Sequence, residues 1–121
     1  MSEELRMHTL VETPVFIRRA AQAGVSEAEL DEIRLLIANH PKAGDPVPGT
    51  GGARKLRFAA RGKGKSGGYR IITFFSGEDI PVFLLDIYAK GEKIDLSQNE
   101  KNTLRGVLQR LAETYRSKQD E

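Results

Sequence analysis

The chain contains no cysteine, which removes disulfides, thiolate metal sites and cysteine nucleophiles together. It has only two histidines, His8 and His40, far apart in sequence. A histidine-built metal site is therefore not expected, nor is a two-histidine acid–base pair, and neither residue is given a chemical role. No apolar run is long enough to span a bilayer. The start, Met-Ser-Glu-Glu-Leu-Arg, is acidic and lacks the apolar core of a secretory signal. The cytoplasm is the expected compartment, with no membrane partner, no metal and no cofactor.

A further absence is more informative. From Pro46 to Gly77 there is no acidic residue, while Arg54, Lys55, Arg57, Arg61, Lys63, Lys65 and Arg70 all fall in that stretch. The rest of the chain holds the other 12 of 19 basic residues against all 17 acidic ones, so a formal charge of +2 conceals strong polarisation. A solubilising surface mixes both signs, whereas a one-sign stretch sets up a field suited to polyanions. Apolar residues interleave the charges, as in Lys55-Leu56-Arg57-Phe58, which places them on a sheet rather than in a tail.

A chain of 121 residues with 39% hydrophobic and 30% charged residues suits one soluble domain, 1–121, with flexible ends at 1–7 and 117–121 expected. HTLVE (8–12) reads as a first strand. Thr13-Pro14 looks like an N-cap followed by proline at the first helical position, with Val15, Phe16 and Ala20 buried and Gly24 as the stop. Ser26 and Glu29 have capping-box spacing and open a second helix, with Leu30, Ile33 and Ile37 apolar, ended by His40-Pro41. Residues 41–52 are rich in proline and glycine and read as loop.

The run 55–58 alternates with period two, so Leu56 and Phe58 face inward and Lys55 and Arg57 share the opposite face. YRIITFF (69–75) reads as strand, and PVFLLDIYA (81–89) as a central strand buried on both faces. Ser97 and Glu100 open a last helix to about Arg116, with Leu104, Val107, Leu108, Leu111 and Tyr115 in one stripe. The expected fold class is α+β, in the order β-α-α-β-β-β-α. It would have a small, mostly antiparallel sheet and helices packed on one side. The other face would stand partly open, with Lys55 and Arg57 on it.

The glycines invite nucleotide-binding readings that fail on spacing. Gly64-Lys65-Ser66 ends like a phosphate loop, but Ala59 stands where its first glycine belongs, and a strand rather than a helix follows. Gly49-Thr50-Gly51 begins like a dinucleotide motif, but Arg54 occupies the place of its third glycine.

The basic cluster supports a different chemistry. RNA can be cleaved by its own 2′-hydroxyl, provided that the hydroxyl is deprotonated, the phosphate neutralised and the leaving oxygen protonated. Arginine grips phosphate oxygens bidentately, and a lysine among cations can lower its pKa enough to move protons. Tyr69 reads mainly as core. For Tyr88, beside Lys90 where the last strand ends, stacking on a base and packing both stand open.

The run from Gly49 to Arg57, then Gly62-Lys63-Gly64-Lys65-Ser66-Gly67-Gly68-Tyr69-Arg70-Ile71-Ile72, resembles the RelE/ParE superfamily of bacterial toxins, most of all its HigB-type branch. Leu85 to Glu92 and Asp95-Leu96-Ser97 continue the likeness, which covers about residues 8–115. The resemblance implies the toxin of a type II toxin–antitoxin system. It would be a metal-independent, ribosome-dependent mRNA endonuclease acting in the ribosomal A site, paired with a DNA-binding antitoxin. By position, Arg70 would hold the scissile phosphate, and Lys55, Arg57 and Lys90 would share charge stabilisation and proton transfer. Tyr88 could stand in for the C-terminal tyrosine or histidine of some relatives, since Tyr115 belongs to the apolar stripe. Arg54, Arg61, Lys63 and Lys65 would grip the RNA backbone. A gyrase inhibitor of the ParE kind and a non-catalytic nucleic-acid-binding module are the alternatives on the same fold.

Overall fold

The computed structural model describes residues 7–59, 68–92 and 97–119. Its elements are β1 (Leu10–Glu12), α1 (Pro14–Gln22), α2 (Glu27–Asn39), β2 (Asp45–Pro46), β3 (Ala53–Phe58), β4 (Tyr69–Phe74), β5 (Val82–Ala89) and α3 (Gln98–Gln119). The five strands form one mixed sheet in the order β1-β5-β4-β3-β2. β1 runs parallel to β5, and the other pairs are antiparallel. The result is the compact α+β domain expected. The ends expected to be flexible fall largely outside the described residues, apart from Met7 and the last turn of α3.

The local signals form the caps they announce. Thr13 accepts from the Phe16 N–H at 3.2 Å and opens α1, with Pro14 at its first position. Gly24, at φ +74°, follows the α1 cap in a conformation that costs a side-chain-bearing residue energy. Ser26 and Glu29 make a reciprocal capping box at α2, and Ser97 and Glu100 make the same pair of bonds at α3, at 2.8 and 3.1 Å. Each box satisfies helix N–H groups that would otherwise be orphaned.

The sheet separates two apolar clusters. Tyr69, Ile71, Leu84 and Ile87 pack with Phe16 and Ala20 of α1 and Ile33 and Ile37 of α2. Ile72, Phe74, Phe83 and Tyr88 pack with Leu108 and Ala112 of α3. Neighbours such as Ile71 and Ile72 project to opposite faces, so the first cluster is the layer under α1 and α2. The stripe of α3 finds its apolar partners across the sheet. The face expected to stand partly open is thus half covered by α3 and half left to the charged residues of β3 and β4.

Three local expectations needed adjustment. His8 and Thr9 precede β1 rather than belonging to it; the His8 ring packs edge-on against Phe75 instead. Val15 is not buried but 42% exposed, and in the first turn of α1 it is Phe16 that takes the buried position. The segment read as loop contains β2, whose two residues pair with Lys55 and Arg54. A two-residue strand containing proline has no sequence signature and can exist only at an edge, which is where it lies.

Candidate nucleic-acid interface

The register builds the site. β3 and β4 pair so that Arg57 lies directly opposite Arg70, and β4 and β5 pair so that Arg70 lies opposite Tyr88. These three residues make one row across the central strands, on the face that carries α3. The preceding row is Lys55, Ile72 and Asp86, extended at its edge by Asp45 opposite Lys55. Beyond Tyr88 the Lys90 N–H donates to the Gly68 carbonyl at 2.9 Å, which carries the alternation one step further and puts Lys90 on the Tyr88 side. Successive rows on one face are about 7 Å apart, close to the spacing of phosphates along a single strand.

Arg57 is exposed, and Arg70 and Lys55 are half-buried. Like charges placed directly across a strand pair repel. Among the described residues neither Arg57 nor Arg70 has an ion-pair partner. The Arg70 guanidinium makes one long bond, 3.4 Å, to the Tyr69 carbonyl. An anion bridging the two guanidinium groups would relieve the repulsion, and a phosphodiester suits their planar forks. Asp86 is the carboxylate nearest to the row by register. It is committed elsewhere, accepting from Arg19 Nε at 3.0 Å and from the Ile87 N–H at 2.8 Å.

The row is held rigidly from behind. Tyr69, one residue before Arg70, is 2% exposed and donates its hydroxyl to Glu29 at 3.3 Å. Glu29 is itself buried and already serves the capping box of α2. Burial, reinforced by the Glu29 carboxylate, pushes the Tyr69 hydroxyl above its ordinary pKa. Gly68 stands where a Cβ would come within 2.9 Å of the Phe58 carbonyl, at φ +140°. Only glycine lets β4 start this close to the end of β3.

Lys55, Arg57, Arg70, Tyr88 and Lys90 are therefore brought onto one face within three successive rows. Tyr88 is 1% exposed and belongs to the cluster under α3, so in this structure its ring is a packing group. Arg54 points to the opposite face, where its Nη1 donates to the carbonyls of Lys42 and Gly44 at 3.1 and 3.2 Å and closes the loop before β2. Arg61, Lys63 and Lys65 lie outside the described residues. Among the described residues no group of three or more His, Asp or Glu is placed to hold a metal ion, and no helix is long and apolar enough to cross a membrane.

Sequence reasoning passed over Asp86 and its tether Arg19. The signal was available, since an aspartate interrupts an otherwise apolar strand. It also passed over a groove between α1 and α3, because its lining residues look individually like core.

Residues 11–121 match the family described as the RelE toxin of the RelE / RelB toxin-antitoxin system. The chain belongs to that family, a RelE/ParE-type toxin.

Proposed function

We propose that this chain is the toxin of a type II toxin–antitoxin system and an endoribonuclease that cleaves mRNA on the ribosome, closest in kind to the HigB branch. The observation that supports this reading best is the Arg57–Arg70 pair, two unneutralised guanidinium groups facing each other on rigid central strands. A site of that kind is preorganised for a phosphate that gains negative charge as it reacts.

In the proposed reaction the 2′-oxygen attacks the adjacent phosphorus and the bond to the 5′-oxygen breaks. A cyclic phosphate remains on one fragment and a hydroxyl on the other. Arg70 holds the non-bridging oxygens. Arg57 adds the second fork as charge builds. Lys55 and Lys90, one row to either side, would take the 2′-hydroxyl proton and return one to the departing oxygen. Arg61, Lys63 and Lys65 would track the RNA backbone, while Arg54 would do so only by giving up its carbonyl partners. The substrate locates the protein in the cytoplasm, with mRNA, the ribosomal A site and an antitoxin as partners.

The test is primer extension on an mRNA in a purified translation system, with and without ribosomes, for wild type and Arg70→Ala. Cuts that require both ribosomes and Arg70 support the reading. Intact mRNA under every condition would sink it, and inhibition of gyrase supercoiling would then be assayed.

A further inference from the structure

Along β5 the alternation of side chains breaks once. Val82 and Leu84 pack in the layer under α1 and α2, and Phe83 packs under α3. Three residues after Leu84, however, it is Ile87 that returns to the first layer and Tyr88 that joins the second. The ladder gives the cause. Thr73 pairs with Leu84 and Ile72 with Asp86, so two steps of β5 span one step of β4, and Leu85 is the extra residue of a bulge. Leu85 and Asp86 both line the groove of about 580 Å³ between α1 and α3, beside Ile72 and Thr13. Were β5 regular beyond Leu84, Asp86 would stand opposite the fully buried Ile71, and Ile87 opposite Arg70. A carboxylate in that apolar layer is costly, and Tyr88 and Lys90 would be turned away from the arginines.

The bulge falls where β5 loses its outer neighbour. β1 ends at Glu12, opposite Leu84, and among the described residues no strand pairs with that edge of β5 beyond it. Side chains take up the backbone groups left over. Thr13 donates its hydroxyl to the Leu84 and Leu85 carbonyls at 3.0 and 3.3 Å. The Ile87 N–H donates to Asp86 Oδ1 at 2.8 Å, and the Ala89 N–H to Glu92 Oε1 at 3.0 Å. Arg19, in the last turn of α1, donates its Nε to the same Asp86 oxygen at 3.0 Å. One carboxylate oxygen therefore joins the helix to the strand just past its bulge.

We infer that Asp86, held by Arg19, is a positioning residue for the cationic row: it pins the bulge of β5 and so fixes the register that sets Tyr88 against Arg70 and carries Lys90 to the same face. Asp86 touches no reacting atom in this scheme and acts through the strand that follows it. Its effect on rate rests on reading the chain as a nuclease, whereas its effect on register does not. Charge gives a second way to recognise this role. Removing Asp86 makes the protein more positive and removing Arg19 makes it less so, and a purely electrostatic contribution would move RNA affinity in opposite directions. Loss of positioning slows the reaction in both.

The experiment compares wild type with Asp86→Ala, Asp86→Asn, Arg19→Ala and the double alanine variant of the full chain, each checked for folding by melting. Rates are read as kcat and KM for cleavage of mRNA on programmed ribosomes. Asp86→Ala and Arg19→Ala should each lower kcat by about tenfold to a hundredfold with little change in KM, the signature of misplaced rather than missing groups. The double variant should be no slower than Asp86→Ala, because both changes break one contact. Asp86→Asn keeps an oxygen for the Ile87 N–H and for Arg19, and should restore the rate. Thr13→Ala keeps its backbone bond to the Leu84 carbonyl and controls for a loosened α1; it should lose stability and keep its rate. Register is read separately by NMR. Ile87 sends its N–H outward, so it forms with Ile71 the close kind of antiparallel pair, and their Hα–Hα contact should weaken in both alanine variants but persist in Asp86→Asn. If Asp86→Ala does not fold, Arg19→Ala decides. An unchanged Hα–Hα contact in the folded alanine variants would overturn the proposal, as would opposite shifts in KM at constant kcat or an equal loss of rate in Thr13→Ala. A wild type that does not cut would sink the nuclease reading, and the NMR comparison would still decide the role of Asp86 in register.

Discussion

The Arg57–Arg70–Tyr88 row and the groove between α1 and α3 are one strand row apart, yet they are built from opposite materials. The row sets cations on paired strands with apolar packing behind them. The groove joins aliphatic side chains from two helices that rest on opposite faces of the sheet. The row can order an anion because its charges are fixed before the ligand arrives. The groove offers shape and apolarity, its two carboxylates, Asp86 and Glu100, each already bonded within the chain. One face of the sheet thus carries a cationic row and an aliphatic groove side by side.

The comparison breaks most sharply at Arg70. Arg70→Ala should lower the rate of mRNA cleavage by about 10²–10³, as removal of one preorganised donor does, while leaving the melting curve unchanged. A folded variant that cuts at the wild-type rate would refute the role given to Arg70.

A cut into shared support should damage both regions together. Ile87 is fully buried opposite Ile71, next to Asp86 and Tyr88. Ile87→Ala should cost about 2–5 kcal/mol in denaturant unfolding, and mRNA cleavage should fall with it. Unchanged stability in that variant would show that the row and the groove are not carried on a common core.

Thr13 sharpens the groove side alone. Its side chain caps α1 and donates to the Leu84 carbonyl at 3.0 Å. Thr13→Ala should cost about 1 kcal/mol in denaturant unfolding and spare cleavage. A matching loss of cleavage would mean that α1 also supports the arginines.

The smallest effects are pH dependences. The Tyr69 pKa is raised in the folded state, so its contribution is complete below about pH 10, the unfolded value. It is lost as pH rises through the folded value. Tyr69→Phe should flatten this alkaline decline in melting temperature; an identical decline would show that another group causes it. Asp79, hydrogen-bonded to Arg116 at 3.0 Å, has its pKa lowered. Its contribution is present above the unfolded carboxylate value near pH 4 and is lost as pH falls through the folded value. Urea titrations of wild type should show a slight acid-limb dependence that Arg116→Ala removes; the same dependence in both would show that another group causes it.

Much of this was legible in the chain because the signals are local. Thr13-Pro14, Ser26 with Glu29 and Ser97 with Glu100 name their helices through bonds that span three residues. Alternation along 55–58 states which side chains share a face. The pairing partners were not legible. Nothing near Arg57 specifies that Arg70 will stand opposite it; hydrogen-bond register across 12 intervening residues decides that. The exposure of Val15 and the burial of Tyr88 likewise depend on where α1 and α3 come to rest, not on residue type.

By itself the sequence determined the helix caps, the strand faces, the one-sign charge of the central segment and, through its pattern, the family. Short-range sterics and hydrogen bonding are enough for the first two, and composition is enough for the third. Only the tertiary structure decided that Arg57, Arg70 and Tyr88 form one row, and that Arg54 is turned away to close a loop. It also decided that α3 packs on the second face and opens a groove against α1. Those outcomes depend on the register of distant strands and on which apolar surface each helix buries, quantities fixed when the whole core closes rather than by any segment alone.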